Sequence, residues 1–349
     1  MSPDDVDSPI AAHRSSGRLQ RVRHALAFSR ISGVYVYILI VIAFSFWLPS
    51  TFDTTSNWQN IAGSQAVTAI VTVGLLFPLA AGQFDLSVGS TIGLAGMMSA
   101  YLADHGAGTV SAILIALALG VAVGGVNAVL IVGLRLDSFI ATLGMSSILL
   151  GITLAITNGQ EIIGLPSAFQ SIGTTQVFGL PIAVMYLVAI GFIAWWALEH
   201  TTFGRFLFAV GGGRDAAKLA GVKTGFEIAT ALIVCGGVAA IGGVVVTASL
   251  GAADPNIGAG YLLPAFASAA LGATQFRDGR FNVPGAILAN YLLATGVTGL
   301  QLAGAQDWVT YVFNGAALVV ALALAVRKGR LRPRFGSRVR RIRRPVSPN

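Results

Sequence analysis

Long apolar runs dominate the chain and alternate with short polar segments. Most runs are long enough to cross a bilayer as a helix, which takes about 20 residues, and they lack the alternation of a barrel strand. The pattern predicts ten spanning helices, near residues 32–50, 61–80, 86–103, 110–133, 138–157, 180–198, 226–250, 262–275, 283–302 and 308–326. The run near 262–275 is short, so it predicts a half-span or a helix that begins earlier.

The basic residues predict how these helices are oriented. If the N terminus is cytosolic and the sides alternate, all 22 Lys and Arg fall in the cytosolic segments 1–31, 81–85, 134–137, 199–225, 276–282 and 327–349. The loops on the other side, near 51–60, 104–109, 158–179, 251–261 and 303–307, contain none. Since cytosolic loops carry an excess of Lys and Arg, the pattern favours an even number of spans near ten, with both termini in the cytosol.

Composition supports an all-α polytopic membrane protein. Of the 349 residues, 55% are hydrophobic and only 10% are charged, whereas soluble domains carry about 25% charged residues. We predict a cytosolic basic N-terminal tail (1–31), a transmembrane domain (32–326) and a basic C-terminal tail (327–349). Ten basic residues between Arg327 and Arg344 account for the net charge of +8, and beside a span they favour anionic lipid over nucleic acid as the partner.

The segment 199–225 is not a simple connector. Its sequence RDAAKLAG predicts a helix of about two turns that stops at Gly221, preceded by a sharp turn at Gly211–Gly213. Such a helix on the cytosolic face either lies on lipid or docks a cytosolic partner. The chain contains no G-x-x-x-x-G-K-[ST] phosphate loop, so any ATPase is expected to be a separate chain and this chain is expected to bind no cofactor.

The apolar runs contain few ionisable residues, which weakens the interpretation as a proton- or sodium-coupled carrier. Paired catalytic carboxylates, a metal-spaced His cluster and a nucleophile elbow are also missing from the sequence, and the one cysteine, Cys235, excludes a disulfide. We therefore expect no enzyme and no metal site. The polar Asn127, Thr142 and Asn158 and the aromatic Phe139 are candidates to line a path through the membrane, with hydrogen bonding between helices as the alternative.

Two aspartates stand beside predicted helix starts. Asp85, in AAGQFDLSVGS, is predicted to lie in a turn near the cytosolic face and to cap the helix that follows, or to make a polar contact at a gate. Asp254 raises the same two alternatives, because Pro255 suits a first helical position.

Four motifs occur in the order GQFDLSVGSTIGL, SFIATLGMSSILLGITLAITNG, TTFGRFLFAVGGGRDAAKLAGV and ADPNIGAGYLLPAFASAALGATQF. Together they resemble the permease subunits of bacterial ATP-binding-cassette importers for monosaccharides, the ribose, xylose and galactose type. The resemblance runs from about 61 to about 326. It implies a ten-helix permease of vitamin B12- or ribose-importer architecture in the bacterial inner membrane. It also implies a second permease copy, cytosolic ATPases that hold ATP and Mg²⁺, and an external sugar-binding protein.

The resemblance assigns residues as well. Those that match the ATPase-docking pattern are Phe203, Gly204, Arg205, Ala209, Gly211, Ala216, Ala217 and Gly221. Gln83 stands where the family prefers glycine, so with Asp85 it joins the candidates for the path. Gly213 stands where the family has asparagine, and GATQFRDGRF departs from the later family loop.

The leading hypothesis is a permease subunit for the import of a monosaccharide or a related polyol. The alternatives are a secondary carrier or facilitator, and a permease of the same mechanism for another cargo such as a nucleoside.

Overall fold

The computed structural model describes residues 32–277 and 279–327. The predicted tail 1–31 lies outside the described residues, as do 328–349 of the other tail. The described part folds into helices α1 (Ser32–Trp47), α2 (Thr55–Ala80), α3 (Val88–Asp104), α4 (Thr109–Ala128), α5 (Ser138–Thr157), α6 (Ser167–Thr174), α7 (Ile182–His200), α8 (Thr202–Gly212), α9 (Arg214–Leu219), α10 (Thr224–Leu250), α11 (Ala259–Gly272), α12 (Val283–Leu302) and α13 (Trp308–Arg327).

Every predicted apolar run coincides with a helix. Six helices are both long and apolar enough to cross a membrane: α2, α4 with its π-helical extension Val129–Gly133, α5, α7, α10 and α12. The run near 262–275 is helix α11, which begins earlier, at Ala259, and is still only 14 residues long. The fold is therefore that of a polytopic helical membrane protein.

Helices α2 and α10 form the centre of the bundle. Both are largely buried, and α10 packs against α2, α3 and α4. Helices α5 and α7 are mostly exposed along their lengths. Because apolar side chains gain little by moving from lipid to protein, close packing must hold such a bundle together.

Glycines permit that close packing between α4 and α10. A Cβ at Gly120 would collide with the carbonyl oxygen of Gly236, and one at Gly124 would collide with that of Leu232. The two backbones can approach only because these positions lack side chains.

Four short strands connect the helices on the face that carries the α5–α7 connection. Strand β1 (Ile162–Ile163) pairs antiparallel with β4 (Ala252–Ala253), with Ile162 opposite Ala253. Strands β2 (Gln176–Val177) and β3 (Leu180–Pro181) form a hairpin with Gln176 opposite Pro181. The first pair ties the end of α10 to the connection that contains α6.

Candidate functional site

The connection between α2 and α3, residues 81–87, exposes Gly82 and Phe84 but buries Asp85 and Ser87 in the bundle. Asp85 is only 1% exposed within it, and Ser87 is fully buried. The side chain of Cys235, near the middle of α10, lies close enough to the Asp85 carboxylate to interact with it. Cys235 lies 11 residues from the start of α10, about 16 Å along the helix axis at 1.5 Å per residue.

Asp85 does not hold the cap position of the next helix, the first of the two alternatives predicted for it. Helix α3 begins at Val88, and Ser87 holds the cap position without a side-chain cap. The Asp85 carboxylate instead accepts hydrogen bonds from the Ser87 hydroxyl (2.6 Å) and the Ser87 backbone amide (3.1 Å). A position read as a loop by hydropathy is thus a buried carboxylate with dedicated donors.

Asn127 of α4 completes this network. Its Nδ2 donates to the Ser87 hydroxyl oxygen at 2.8 Å and, at 3.4 Å, to the Asp85 carboxylate. A buried carboxylate is tolerated only when donors satisfy it, and here they come from the connection itself and from α4.

Helix α5 satisfies the backbone of the same connection. The amide of Phe84 donates to the Ser138 hydroxyl (3.1 Å) and the amide of Leu86 donates to the Thr142 hydroxyl (3.0 Å). Non-helical backbone inside a membrane protein needs such partners, because water is absent. In this structure Asn127 and Thr142 therefore hold the connection, which is the hydrogen-bonding alternative weighed for them.

The six candidate path residues do not form one site. Asp85, Asn127 and Thr142 lie around the connection, with Gln83 half-buried beside them. Phe139 is 52% exposed on α5. Asn158 is the C-cap of α5 in the left-handed conformation, about 28 Å from Phe139 along the helix.

Asp254 is not a helix cap either. Its Oδ1 accepts from the amide of Asn256 at 2.8 Å, and α11 begins only at Ala259, so Pro255 is not at a first helical position. The residue stabilises a turn before the helix.

The predicted docking segment contains two helices. The expected short helix is α9, whose end is marked by Gly221 with φ +85°. Helix α8 was missed, because its aromatic and glycine-rich sequence gives a weak helix signal. The expected turn at Gly211–Gly213 is shorter than predicted: α8 continues through Gly212, and only Gly213 is extended.

The docking segment touches the start of the buried connection. Gly211 lies against the carbonyl oxygen of Ala80, where a Cβ would collide, and Gly82 approaches the Gly211 backbone. The ring of Phe203 stacks on Phe77 of α2 with centroids 6.2 Å apart. Helix α8 is therefore in direct contact with the end of α2 and with Gly82.

The residues matched to the docking pattern divide by exposure. Gly204 and Ala217 are buried and Phe203 is half-buried, whereas the exposed members are Arg205, Ala209, Gly211, Ala216 and Gly221. Leu219 of α9, which the pattern did not single out, is 90% exposed.

A charged cluster joins the end of α7 and the helix α8 to the connection between α11 and α12. Glu199, whose side chain is 4% exposed, pairs with Arg277 at 2.7 Å and with Arg280 at 4.0 Å. The Arg280 guanidinium lies 3.7 Å from the centre of the Phe208 ring. The loop GATQFRDGRF, which differs from the corresponding family loop, thus contacts the docking segment.

A polar cavity of about 310 Å³ lies among α2, α11, α12 and α13. Sequence reasoning did not bring its polar residues together, because four helices contribute them. The helical spacing of Asn290, Thr298 and Gln301 on α12 was the available signal. The polar lining residues are Ser64, Gln65, Thr68, Tyr261, Ser268, Asn290, Thr298, Gln301, Thr310 and Asn314.

Metal-ligating groups are scarce. Within residues 32–277 and 279–327, no three His, Cys, Asp or Glu side chains are placed to hold a metal ion.

The comparisons with known proteins point in one direction. Residues 57–322 match the family described as the permease component of branched-chain amino acid transport systems. The D-allose transport system permease protein of Escherichia coli K12 is 31% identical over 86% of this chain and 92% of its own length. The ribose import permease proteins of the same strain and of Bacillus subtilis 168 are 32% and 30% identical, over 83% and 85% of this chain and 91% of each relative. No solved structure matches the chain.

Proposed function

The chain belongs to the family of transport-system permease components, and we propose that it is the transmembrane permease subunit of an ATP-driven importer for a monosaccharide or a related polyol. The relatives are named as permeases for D-allose, ribose, galactose and L-arabinose. A family of permease subunits supplies a path rather than a reaction, so the chain is not an enzyme.

One structural observation carries the mechanism: the packing of Gly211 against the carbonyl oxygen of Ala80. It joins the exposed α8–α9 segment to the end of α2 and to the connection that buries Asp85. A cytosolic subunit that pulls or pushes α8–α9 would displace this connection without touching it. Such a device lets nucleotide-driven closure of a partner move helices inside the membrane.

The proposed topology follows the charges. Ten helices cross the inner membrane of a bacterium, both termini are cytosolic, and residues 199–225 form the docking loop. The absence of Lys and Arg from the five opposite loops supports this orientation. The basic tails 1–31 and 327–349 would then meet the anionic cytosolic leaflet.

The proposed partners follow from the same reading. ATP and Mg²⁺ are held by two cytosolic ATPase subunits, a binding protein delivers cargo on the outer face, and a second copy of this chain completes the membrane part. Residues on the outer face that are available to a binding protein include Phe178, which is 96% exposed at the tip of the β2–β3 hairpin.

Reconstitution in sealed vesicles tests this function. The permease, its ATPase and its binding protein should accumulate D-ribose, D-allose, D-galactose or L-arabinose only when ATP is present. Uptake by the permease alone, driven by a sugar gradient, would instead identify a facilitator. If the complex transports a nucleoside but none of these sugars, the ATP-driven mechanism is retained and the proposed cargo is wrong.

A further inference from the structure

The connection between α11 and α12 is held together by one buried side chain, that of Asn282. Its Nδ2 donates to the carbonyl oxygens of Gly272 (3.2 Å), Gln275 (3.0 Å) and Arg280 (3.0 Å). Its Oδ1 accepts from the amide of Gly285 (2.8 Å) and thereby caps α12. Because the same side chain bonds the end of α11, the connection and the start of α12, we expect these three parts to move as one unit.

Glu199 joins this unit to the docking segment, of which it is the first residue. It is also the last residue but one of α7, and α8 begins three residues later. Its nearly buried carboxylate pairs with Arg277 at 2.7 Å and with Arg280 at 4.0 Å. Among the described residues, one carboxylate of the docking segment therefore holds two guanidinium groups of the connection.

Arg280 makes the second contact with the docking segment. Its guanidinium lies over the Phe208 ring of α8, 3.7 Å from the ring centre, and its buried Nε has no hydrogen-bond partner among the described residues. The attraction of the ring and the charge of Glu199 therefore hold this guanidinium in place. Since the Arg280 carbonyl is bonded to Asn282, the residue links α8 to the unit of α11 and α12.

The charged contact is a feature of this chain and does not depend on deep burial. Arg277 and Arg280 stand in GATQFRDGRF, the loop that departs from the family pattern. Their side chains are 50% and 35% exposed, so both can be hydrated if the charge of Glu199 is removed. A change at Glu199 therefore releases the contact without leaving a deeply buried, unpaired charge.

We propose that Glu199 is a positioning residue that couples the docking segment to α11 and α12, as a second route beside the contact of Gly211 with Ala80. The inference rests on the proposed function, because it needs a cytosolic subunit that displaces the docking segment. When α8 moves, the ion pairs carry the connection with it, and Asn282 passes the displacement to both helices. The contact stays closed throughout, so α2, α11 and α12 respond in the same step.

Near-isosteric variants in the assembled complex test the coupling. Glu199→Gln should lower the sugar transported per ATP hydrolysed by about two- to tenfold, the range expected when one member of a coupling network is changed. Arg277→Gln should lower it too, and the double variant should be no worse than Glu199→Gln, because the pair acts as one unit. Arg277→Lys keeps the charge and should retain most of the ratio. The matched control is Arg135→Gln, at an exposed arginine without an ion pair among the described residues, and it should behave as the wild type does.

A covalent bridge tests whether the contact stays closed. The sole native cysteine, Cys235, is buried, so a Glu199→Cys/Arg277→Cys permease carries two accessible thiols that a bifunctional methanethiosulfonate can join. The unbridged variant should show the low ratio of Glu199→Gln, the bridge should restore it, and a reductant should lower it again. A bridge that blocks transport until it is reduced, or that leaves the ratio low, would overturn the proposal.

The outcomes separate this inference from the proposed function. If the wild-type complex accumulates no sugar, the proposed function fails. If the wild type transports and Glu199→Gln has a lower thermal denaturation midpoint but an unchanged ratio of sugar to ATP, the pair only stabilises the fold and the coupling role is overturned. Loss of ATPase binding in Glu199→Gln would overturn it as well, because the residue would then act at the docking surface.

Discussion

Gly211 lies directly against the carbonyl oxygen of Ala80, so the end of α8 and the end of α2 are in backbone contact. The contact leaves no room for a Cβ at position 211. Ala80 stands directly before residues 81–87, so this contact links the docking segment to the connection that buries Asp85.

Gly211→Ala should therefore separate α8 from α2. Overpacking of this kind costs about 1–3 kcal/mol in the free energy of unfolding, or displaces α8 instead. We expect a lower thermal denaturation midpoint in detergent, or less sugar transported per ATP hydrolysed in the complex. Gly212→Ala is the matched control, because a Cβ there meets no atom within 4 Å. Equal behaviour of the two variants would contradict the importance of the contact.

Asp85→Ala should destabilise the permease. The change leaves the Ser87 hydroxyl and the Ser87 backbone amide without their acceptor, and an unsatisfied buried donor costs about 1–3 kcal/mol in the free energy of unfolding. Asp85→Asn keeps one acceptor oxygen and should lose less. The midpoint of thermal denaturation measures both. The exposed Asp104, whose side chain is 51% exposed, provides the control Asp104→Ala, expected within about 0.5 kcal/mol of the wild type; a loss as large as that of Asp85→Ala would count against the network.

Thr142→Val tests whether α5 supports the buried connection. The hydroxyl of Thr142 donates to the Ser138 carbonyl (2.7 Å) and accepts from the Leu86 amide (3.0 Å). Its loss should cost about 1–3 kcal/mol, measured as a lower denaturation midpoint.

Thr153→Val on the same helix is a close control for that experiment. Thr153 is also buried and donates to a carbonyl of its own helix, that of Leu149, at 2.8 Å. It accepts no hydrogen bond from another segment in the described residues. If both variants lose the same stability, the bond to Leu86 contributes nothing.

Leu219→Asp should weaken binding of the ATPase without unfolding the permease. Leu219 is 90% exposed, so a charge there costs the isolated chain little. Loss of a buried leucine contact at an interface corresponds to about tenfold weaker binding or more, measured by co-purification or by binding of the purified ATPase. Phe178→Asp, at an equally exposed apolar position in the β2–β3 hairpin, should leave ATPase binding unchanged. Binding lost in both variants would point to general damage rather than to docking at α9.

Much of the fold could be predicted, because apolar runs report helices directly. All ten runs became helices, and the short run near 262–275 became the short α11. The short helix before Gly221 and its end at that glycine could also be predicted from the sequence. Local rules sufficed in these cases, since each concerns a few consecutive residues.

The candidate site was harder to predict, because tertiary contacts decide it. Hydropathy treats Asp85 as a loop residue, whereas donors from Ser87 and Asn127 allow its burial. The polar cavity likewise depends on four helices that meet in space. The roles assigned by resemblance to the docking residues and to the path remain predictions.

The support that α5 gives to residues 81–87 has a consequence for how the protein is made. Phe84 and Leu86 emerge from the ribosome more than 50 residues before their acceptors, Ser138 and Thr142. Until then their amides have no protein partner, and lipid offers none. The newly made connection must therefore remain in water or in the insertion machinery until α5 arrives. Nascent chains halted before Ser138 should leave a cysteine placed at Ser87, which is fully buried in the folded chain, open to water-soluble reagents, and chains long enough to insert α5 should close it off.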